Sequence, residues 1–307
     1  MKTASKKYIT FVLVFFLLYS GSFAATEGNP SILDLPKHVI DDTQTFVETA
    51  FRSENIPALG AIAASTLLLV HYDQDLRNGA KKLGKKIGLN SVDKTKTYIR
   101  AGRIQIFNGP DDTGSAMYFL GDGWLHGAIC MSFYAYGALS SNDRSIRTAY
   151  ALGEGIVTTA LITQALKHAT GRESPSTTSI HGGVWRFFPD PLKYARSEHR
   201  YDAYPSGHVA TAMMTITVIS SNYPDNHYIQ PVGYVLISLL AFQMVNNGAH
   251  WTSDYPLALG IGYSVGKIAV NNVNGTKTPK KSAEHQNVHF LPYFADDAAG
   301  VMAYYRI

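Results

Sequence analysis

Apolar residues gather along this chain in stretches separated by Gly-, Pro- or Asn-rich breaks: Pro57 to Leu69, Ala116 to Leu139, Ala149 to Leu166, His208 to Ser221, Tyr228 to Met244 and Leu257 to Val270. Stretches of this length and punctuation predict helices, and about six of them predict an all-α bundle around one core. The polar segment from Thr26 to Asn55 carries a shorter amphipathic pattern, Asp41 to Arg52. Two regions break the helical pattern. Ser174 to Tyr204, with its Ser/Thr cluster, His181-Gly182-Gly183, Pro189 and Pro191, reads as a long loop, and long loops inside compact domains are usually functional. After a polar linker from Asn271 to Asn287, alternation over Val288 to Phe294 and Gly300 to Ile307 about Asp296-Asp297 predicts a short C-terminal β-hairpin.

At the N-terminus, Lys2, Lys6 and Lys7 precede an apolar run from Tyr8 to Leu18 and the small-residue stretch Ser20 to Ala25. That order predicts a secretory signal cleaved after Ala24, with an uncleaved membrane anchor as the alternative disfavoured because the run is shorter than the ~20 residues of a membrane span. The expected organisation is a signal at 1–24, a helical lead-in at 25–110, a helical core at 111–272, and a linker with hairpin at 273–307. The chain is therefore expected to be exported to the periplasm or cell envelope.

The internal apolar runs of about 12 to 17 residues carry Asp, His, Gln or Thr, which favours a soluble or peripherally membrane-associated bundle over an integral one. A mean hydropathy of -0.05 agrees. Four lysines between Lys81 and Lys86 suit a solvated helix face better than a lipid site. The net charge of +4 suits an anionic partner but falls short of a nucleic-acid footprint. One cysteine, Cys130, allows no internal disulfide.

Pro205-Ser206-Gly207-His208 opens an apolar helix, so Ser206 is placed to cap it while Gly207 lets the backbone approach an anion at the free amides. His208 beside those amides suits a general acid, since imidazole titrates near neutral pH. His250-Trp251-Thr252-Ser253-Asp254 sets a carboxylate four residues after a histidine, near enough to orient the ring for attack on phosphorus. A structural His-Asp pair has the same spacing, and no third residue at metal-ligand spacing accompanies it. Lys167 and Arg172 end the helix from Ala149; they suit phosphate oxygens, and equally a helix C-terminus.

Together the three segments resemble the type 2 phosphatidic acid phosphatase and vanadium haloperoxidase superfamily, whose pattern is Lys, six residues, Arg-Pro; Pro-Ser-Gly-His; then Ser-Arg, five residues, His, three residues, Asp. Here they read Lys167 to Pro175, Pro205 to His208 and Gln243 to Asp254. The resemblance covers about Tyr118 to Val270. It implies a six-helix bundle with the site at one end, His250 as nucleophile, Asp254 as its partner and His208 as general acid. Lys167, the Ser206 hydroxyl and the Gly207 amide would cradle the phosphate, with no metal and no cofactor.

Both arginines of that pattern are replaced, by Ser174 and Met244. Losing such contacts typically costs on the order of 100-fold in rate each. Arg172 is the candidate for the first vacancy, and Arg186, Arg196 and Arg200 for the second. The expected activity is hydrolysis of a phosphate monoester or diphosphate, a lipid phosphate ahead of soluble esters. The alternative is an impaired phosphate- or lipid-binding envelope protein on the same scaffold; a vanadate-dependent peroxidase is disfavoured by the missing arginines.

Overall fold

Side-chain caps set most of the helix starts. Asp112 accepts from the Ser115 amide to open α3, Thr113–Phe119; Asp122 accepts from Trp124 to open α4, Gly123–Ser140; Asn142 accepts from Ser145 to open α5, Asp143–Thr170. Asp190 does the same for α6, Pro191–Arg196, and Ser206 for α7, Gly207–Asn222. Each cap satisfies an amide that the first helical turn leaves free. Proline in the first turn instead opens α1, Leu35–Ala50, α2, Ile56–Lys86, and α9, Tyr255–Val273. The remaining helix, α8, Ile229–Asn247, ends on Gly248, whose φ of 79° a side chain would resist.

These elements come from a computed structural model that describes residues 34–102, 104–178 and 180–275, and the backbone of 288–295 and 298–305. The expected signal at 1–24 lies outside the described residues, as does most of the expected linker. The fold is all-α, with two antiparallel hairpins: β1, Thr95–Ala101, with β2, Ile104–Pro110, and β3, Val288–Ala295, with β4, Ala298–Tyr305. The second is the C-terminal hairpin that the alternation predicts.

Helix α7 lies at the centre and packs on α5, α8 and α9. Leu152, Val209, Met214, Leu240, Ile261 and Val265 form much of the common core. The crossing of α7 and α9 is close because α9 presents glycines to it. A Cβ on Gly262 would stand 2.3 Å from the Ala210 carbonyl oxygen, and one on Gly266 would stand 2.8 Å from the Thr217 Cβ. That contact brings the N-terminal ends of α7 and α9 together, each carrying one of the expected histidine motifs.

Three differences from the sequence expectation have physical causes. The single helix expected over Ala116 to Leu139 breaks at residues 120–122, where a Cβ on Gly121 would meet the His208 Cβ at 2.6 Å and Leu240 at 2.8 Å. The lead-in is not wholly helical, because the alternating Thr95–Pro110 segment pairs as β1 and β2. Nor does the apolar stretch from Pro57 end its helix: α2 continues through a polar second half to Lys86 and packs on α8, α9 and the Thr252–Asp254 turn.

Away from those motif ends, the fold buries two carboxyls beside each other. Asp42 of α1 and Glu154 of α5 are almost inaccessible, Asn272 donates to Asp42, and His38 Nδ1 lies 3.4 Å from Glu154. Burial raises Asp42 to about 6 despite bonds from Glu154 and Asn272, and burial with repulsion from Asp42 raises Glu154 to about 9. One shared proton is the condition under which two carboxyls fit there.

A raised carboxyl contributes stability that is complete below its unfolded value and is lost as pH climbs through its folded value. The native state should therefore weaken progressively between about pH 4 and about pH 9. Glu154→Gln should flatten that decline, melting higher than wild type at pH 9 in a thermal series at pH 5, 7 and 9.

Candidate active site

The three segments of the sequence pattern converge at one end of the bundle. Lys167 is in the last turn of α5, and Ser206 to His208 begin α7. His250 to Asp254 bridge α8 and α9 through a 3₁₀ turn, Thr252–Asp254. The backbone ties the last two directly, since the Ser206 amide donates to the Asp254 carbonyl at 3.2 Å. Ser206 is buried and its hydroxyl accepts from the Val209 amide at 3.4 Å. A Cβ on Gly207 would lie 3.8 Å from Lys167 Nζ and 3.8 Å from Thr163 Oγ1, so the bare glycine leaves a small space beside the ammonium.

His250 is buried, and Nδ1 makes two contacts: 2.7 Å to the Ala203 carbonyl oxygen and 3.2 Å to Asp254 Oδ2. A carbonyl can only accept, so Nδ1 carries the proton and Nε2 keeps its lone pair. The expected carboxylate partner is in reach, but the shorter bond goes to a backbone group of the long loop. Asp254 Oδ2 also accepts from the Trp251 amide at 2.8 Å.

The His208 ring stands 6.2 Å from that of His250 and 4.9 Å from that of Tyr118, centroid to centroid. Burial, then the nearby His250, Lys167 and His126, push its imidazole down to about 3. His208 is therefore neutral at physiological pH. The expectation of an acid titrating near neutrality is corrected on this point.

Arg172 is also corrected. Its guanidinium is fully buried and both terminal nitrogens are spent on protein groups: Nη1 donates to Asp254 Oδ1 at 2.5 Å and to Ser253 Oγ at 2.6 Å, while Nη2 donates to Asp73 Oδ2 at 2.7 Å and to the Gly182 carbonyl at 3.0 Å. The cation lies over Trp185, 4.7 Å from the ring centroid. It is a partner of the Asp254 carboxylate, not a free clamp for an anion.

The positions of the two replaced arginines are also built into the structure. Ser174 is buried and donates to Asp202 at 3.2 Å, and Met244 is a fully buried member of the hydrophobic core. Beside Met244, Gln243 and Asn246 both donate to the Asn90 carbonyl, at 2.9 and 3.0 Å, pinning the chain before β1 onto α8. Of the loop arginines, Arg186 pairs with Glu173 at 3.5 Å and donates to the Arg200 carbonyl at 3.2 Å.

One buried residue of the site region carried no motif signal. Asp73, inside α2, accepts from Ser253 and Arg172, 180 and 99 residues away in sequence. Only the break in apolar character after Val70 hinted at it.

Residues 148–277 match the family model described as the PAP2 superfamily, and this span holds all three segments. That span is thus similar to the PAP2 superfamily, as the three segments implied, and the similarity supports a phosphatase-type function. No curated protein matches the chain. A solved structure, "Crystal structure of Aquifex aeolicus LpxE", is similar at 16% identity over 52% of this chain and 83% of that one, with a TM-score of 0.38.

Replacing Arg172 by Leu strands Asp73 and Asp254 as neighbouring buried carboxylates. Removing one partner of a buried ion pair typically costs about 3 to 5 kcal/mol. Urea unfolding of Arg172→Leu should report a loss of that order, against less than about 1 kcal/mol for the exposed Arg196→Leu.

Proposed function

We propose that the protein is a phosphatase that hydrolyses a phosphate monoester or diphosphate, preferentially of a lipid, through a phosphohistidine on His250. The observation that carries this reading is the commitment of His250 Nδ1 to Ala203 and Asp254, which leaves the Nε2 lone pair uncommitted in a ring 6.2 Å from that of His208. Nε2 attacks phosphorus, the P–N bond forms as the P–O ester bond breaks, and the departing oxygen takes its proton from His208. Asp254 stabilises the imidazolium that results, and water then cleaves the P–N bond, His208 acting as base.

Lys167, the Ser206 hydroxyl and the Gly207 amide would hold the non-bridging oxygens. His208 is neutral because burial, then the neighbouring His250 and Lys167, oppose its proton. A phosphate dianion seated among the same groups reverses that balance, so the substrate itself loads the acid.

The lipid preference rests on exposed apolar side chains. Leu67 and Leu68 of α2 are 72% and 61% exposed, Val232 and Val235 of α8 are 54% and 59%, and Tyr263 of α9 is 50%. By length and composition α2, with the turn before it, and α8 could each cross a membrane. Along α2 the apolar residues give way to charge at Asp73, the level of the site, and Arg77, Lys81, Lys82, Lys85 and Lys86 follow. A membrane resting on the apolar rows would hold its phosphates at that level. Export to the periplasm or envelope belongs to the same proposal.

A second reading is a phosphate- or lipid-binding protein. It is favoured by the engagement of Arg172, Ser174 and Met244 in the protein's own structure.

The purified protein, incubated with a chromogenic phosphate ester and a lipid phosphate with and without chelator, separates the two. The expected outcome is turnover that survives chelator and falls about 1000-fold or more in His250→Ala. A phosphoenzyme that is stable to alkali and labile to acid should appear in wild type alone. Gly207→Ala should fold normally yet raise KM about tenfold, its methyl group occupying the space 3.8 Å from Lys167 Nζ. Phosphate binding without turnover would establish the second reading.

A further inference from the structure

We propose that Asp73 is a positioning residue of this site, acting on His250 through Arg172 and Asp254; the proposal rests on the phosphohistidine reading above. Asp73 lies on α2, outside residues 148–277 that match the family. It is fully buried, and both carboxylate oxygens are used. Oδ1 accepts from the Ser253 amide at 3.0 Å, and Oδ2 accepts from the Ser253 hydroxyl at 2.5 Å and from Arg172 Nη2 at 2.7 Å. From Arg172 the chain of contacts continues through Nη1 to Asp254 Oδ1 at 2.5 Å, and from Asp254 Oδ2 to His250 Nδ1 at 3.2 Å.

The geometry is fixed from both sides, but the electrostatics give Asp73 its purpose. Arg172 orients Asp254 and, taken alone, would cancel its charge. A neutralised Asp254 is a poor partner for the imidazolium that forms when His250 bonds to phosphorus. Asp73 compensates Arg172, so the Asp73–Arg172–Asp254 group carries net negative charge toward His250. Arg172 can then hold the carboxylate rigidly without quenching it. Ser253, donating to Asp73 and accepting from Arg172, keeps the two ions in register.

Asp73→Asn in the full chain keeps the shape and removes the charge. The expected result is a kcat reduced 10- to 100-fold with KM within about twofold. The acid limb of the kcat/KM profile should move about half a unit or more to lower pH, since imidazolium loses stabilisation. Ser253→Ala, which keeps both charges, should reduce kcat by less, about 3- to 10-fold. A folded Asp73→Asn with wild-type kcat and an unmoved pH profile overturns the proposal.

If Asp73→Asn does not fold, Ser253→Ala decides: unchanged turnover there overturns it. If wild type turns over no ester, the phosphatase reading fails separately, and histidine ¹⁵N spectra still decide this one. The His250 imidazolium signal should appear at lower pH in Asp73→Asn than in wild type, by about half a unit or more; identical pH series overturn the role of Asp73.

Discussion

Three charged side chains, Asp73, Arg172 and Asp254, share one fully buried spot with Ser253 between them, and the architecture of the site depends on how they satisfy one another. Removing such groups from water costs several kcal/mol per ion, recovered only when nearly every donor and acceptor is matched. Here both terminal nitrogens of Arg172 and both oxygens of each carboxylate are matched. The same bonds tie α2 to the long loop after α5 and to the turn before α9. A helix that precedes the family-matched segment is thereby fastened to the residues expected to do chemistry.

From that anchor the electrostatics of the site follow. Asp254 is held from behind by Arg172, so its other oxygen can face His250, while the Ala203 carbonyl selects the ring tautomer. On the far side, burial, then His250 and Lys167, oppose a further proton on His208. The buried Asp42–Glu154 pair shows the opposite solution to the same problem. With no Lys or Arg paired to it among the described residues, burial and mutual repulsion keep a proton on it. Glu154 and Lys167 share α5, thirteen residues or roughly 20 Å apart.

The replaced arginines are not simple losses. Met244 completes the core under the site, and its neighbours Gln243 and Asn246 secure the chain leading to β1. Ser174 joins the loop to Asp202. With these positions turned inward, Lys167 and the amides at the start of α7 are the groups proposed to meet phosphate. Such a site asks more of the nucleophile's orientation, which is where the buried ions act.

Much of this was legible in the chain itself. The start of α7 followed from Ser206 at its cap, because capping is decided within four residues. The His250–Asp254 contact followed from a spacing of four, and the Pro-Ser-Gly-His turn from its own composition. The continuation of α2 and the β1–β2 hairpin were not legible, since packing outweighed weak local signals. The partners of Arg172 were decided only by tertiary structure. Local spacing offered it a phosphate or a helix end, whereas its carboxylates arrive from 99 and 82 residues away. The same holds for the tautomer of His250, set by a carbonyl 47 residues distant. Sequence alone determined which reactive groups exist and where each sits on its own element; the burial of charge, which requires partners from remote segments, decided which of them are free to act.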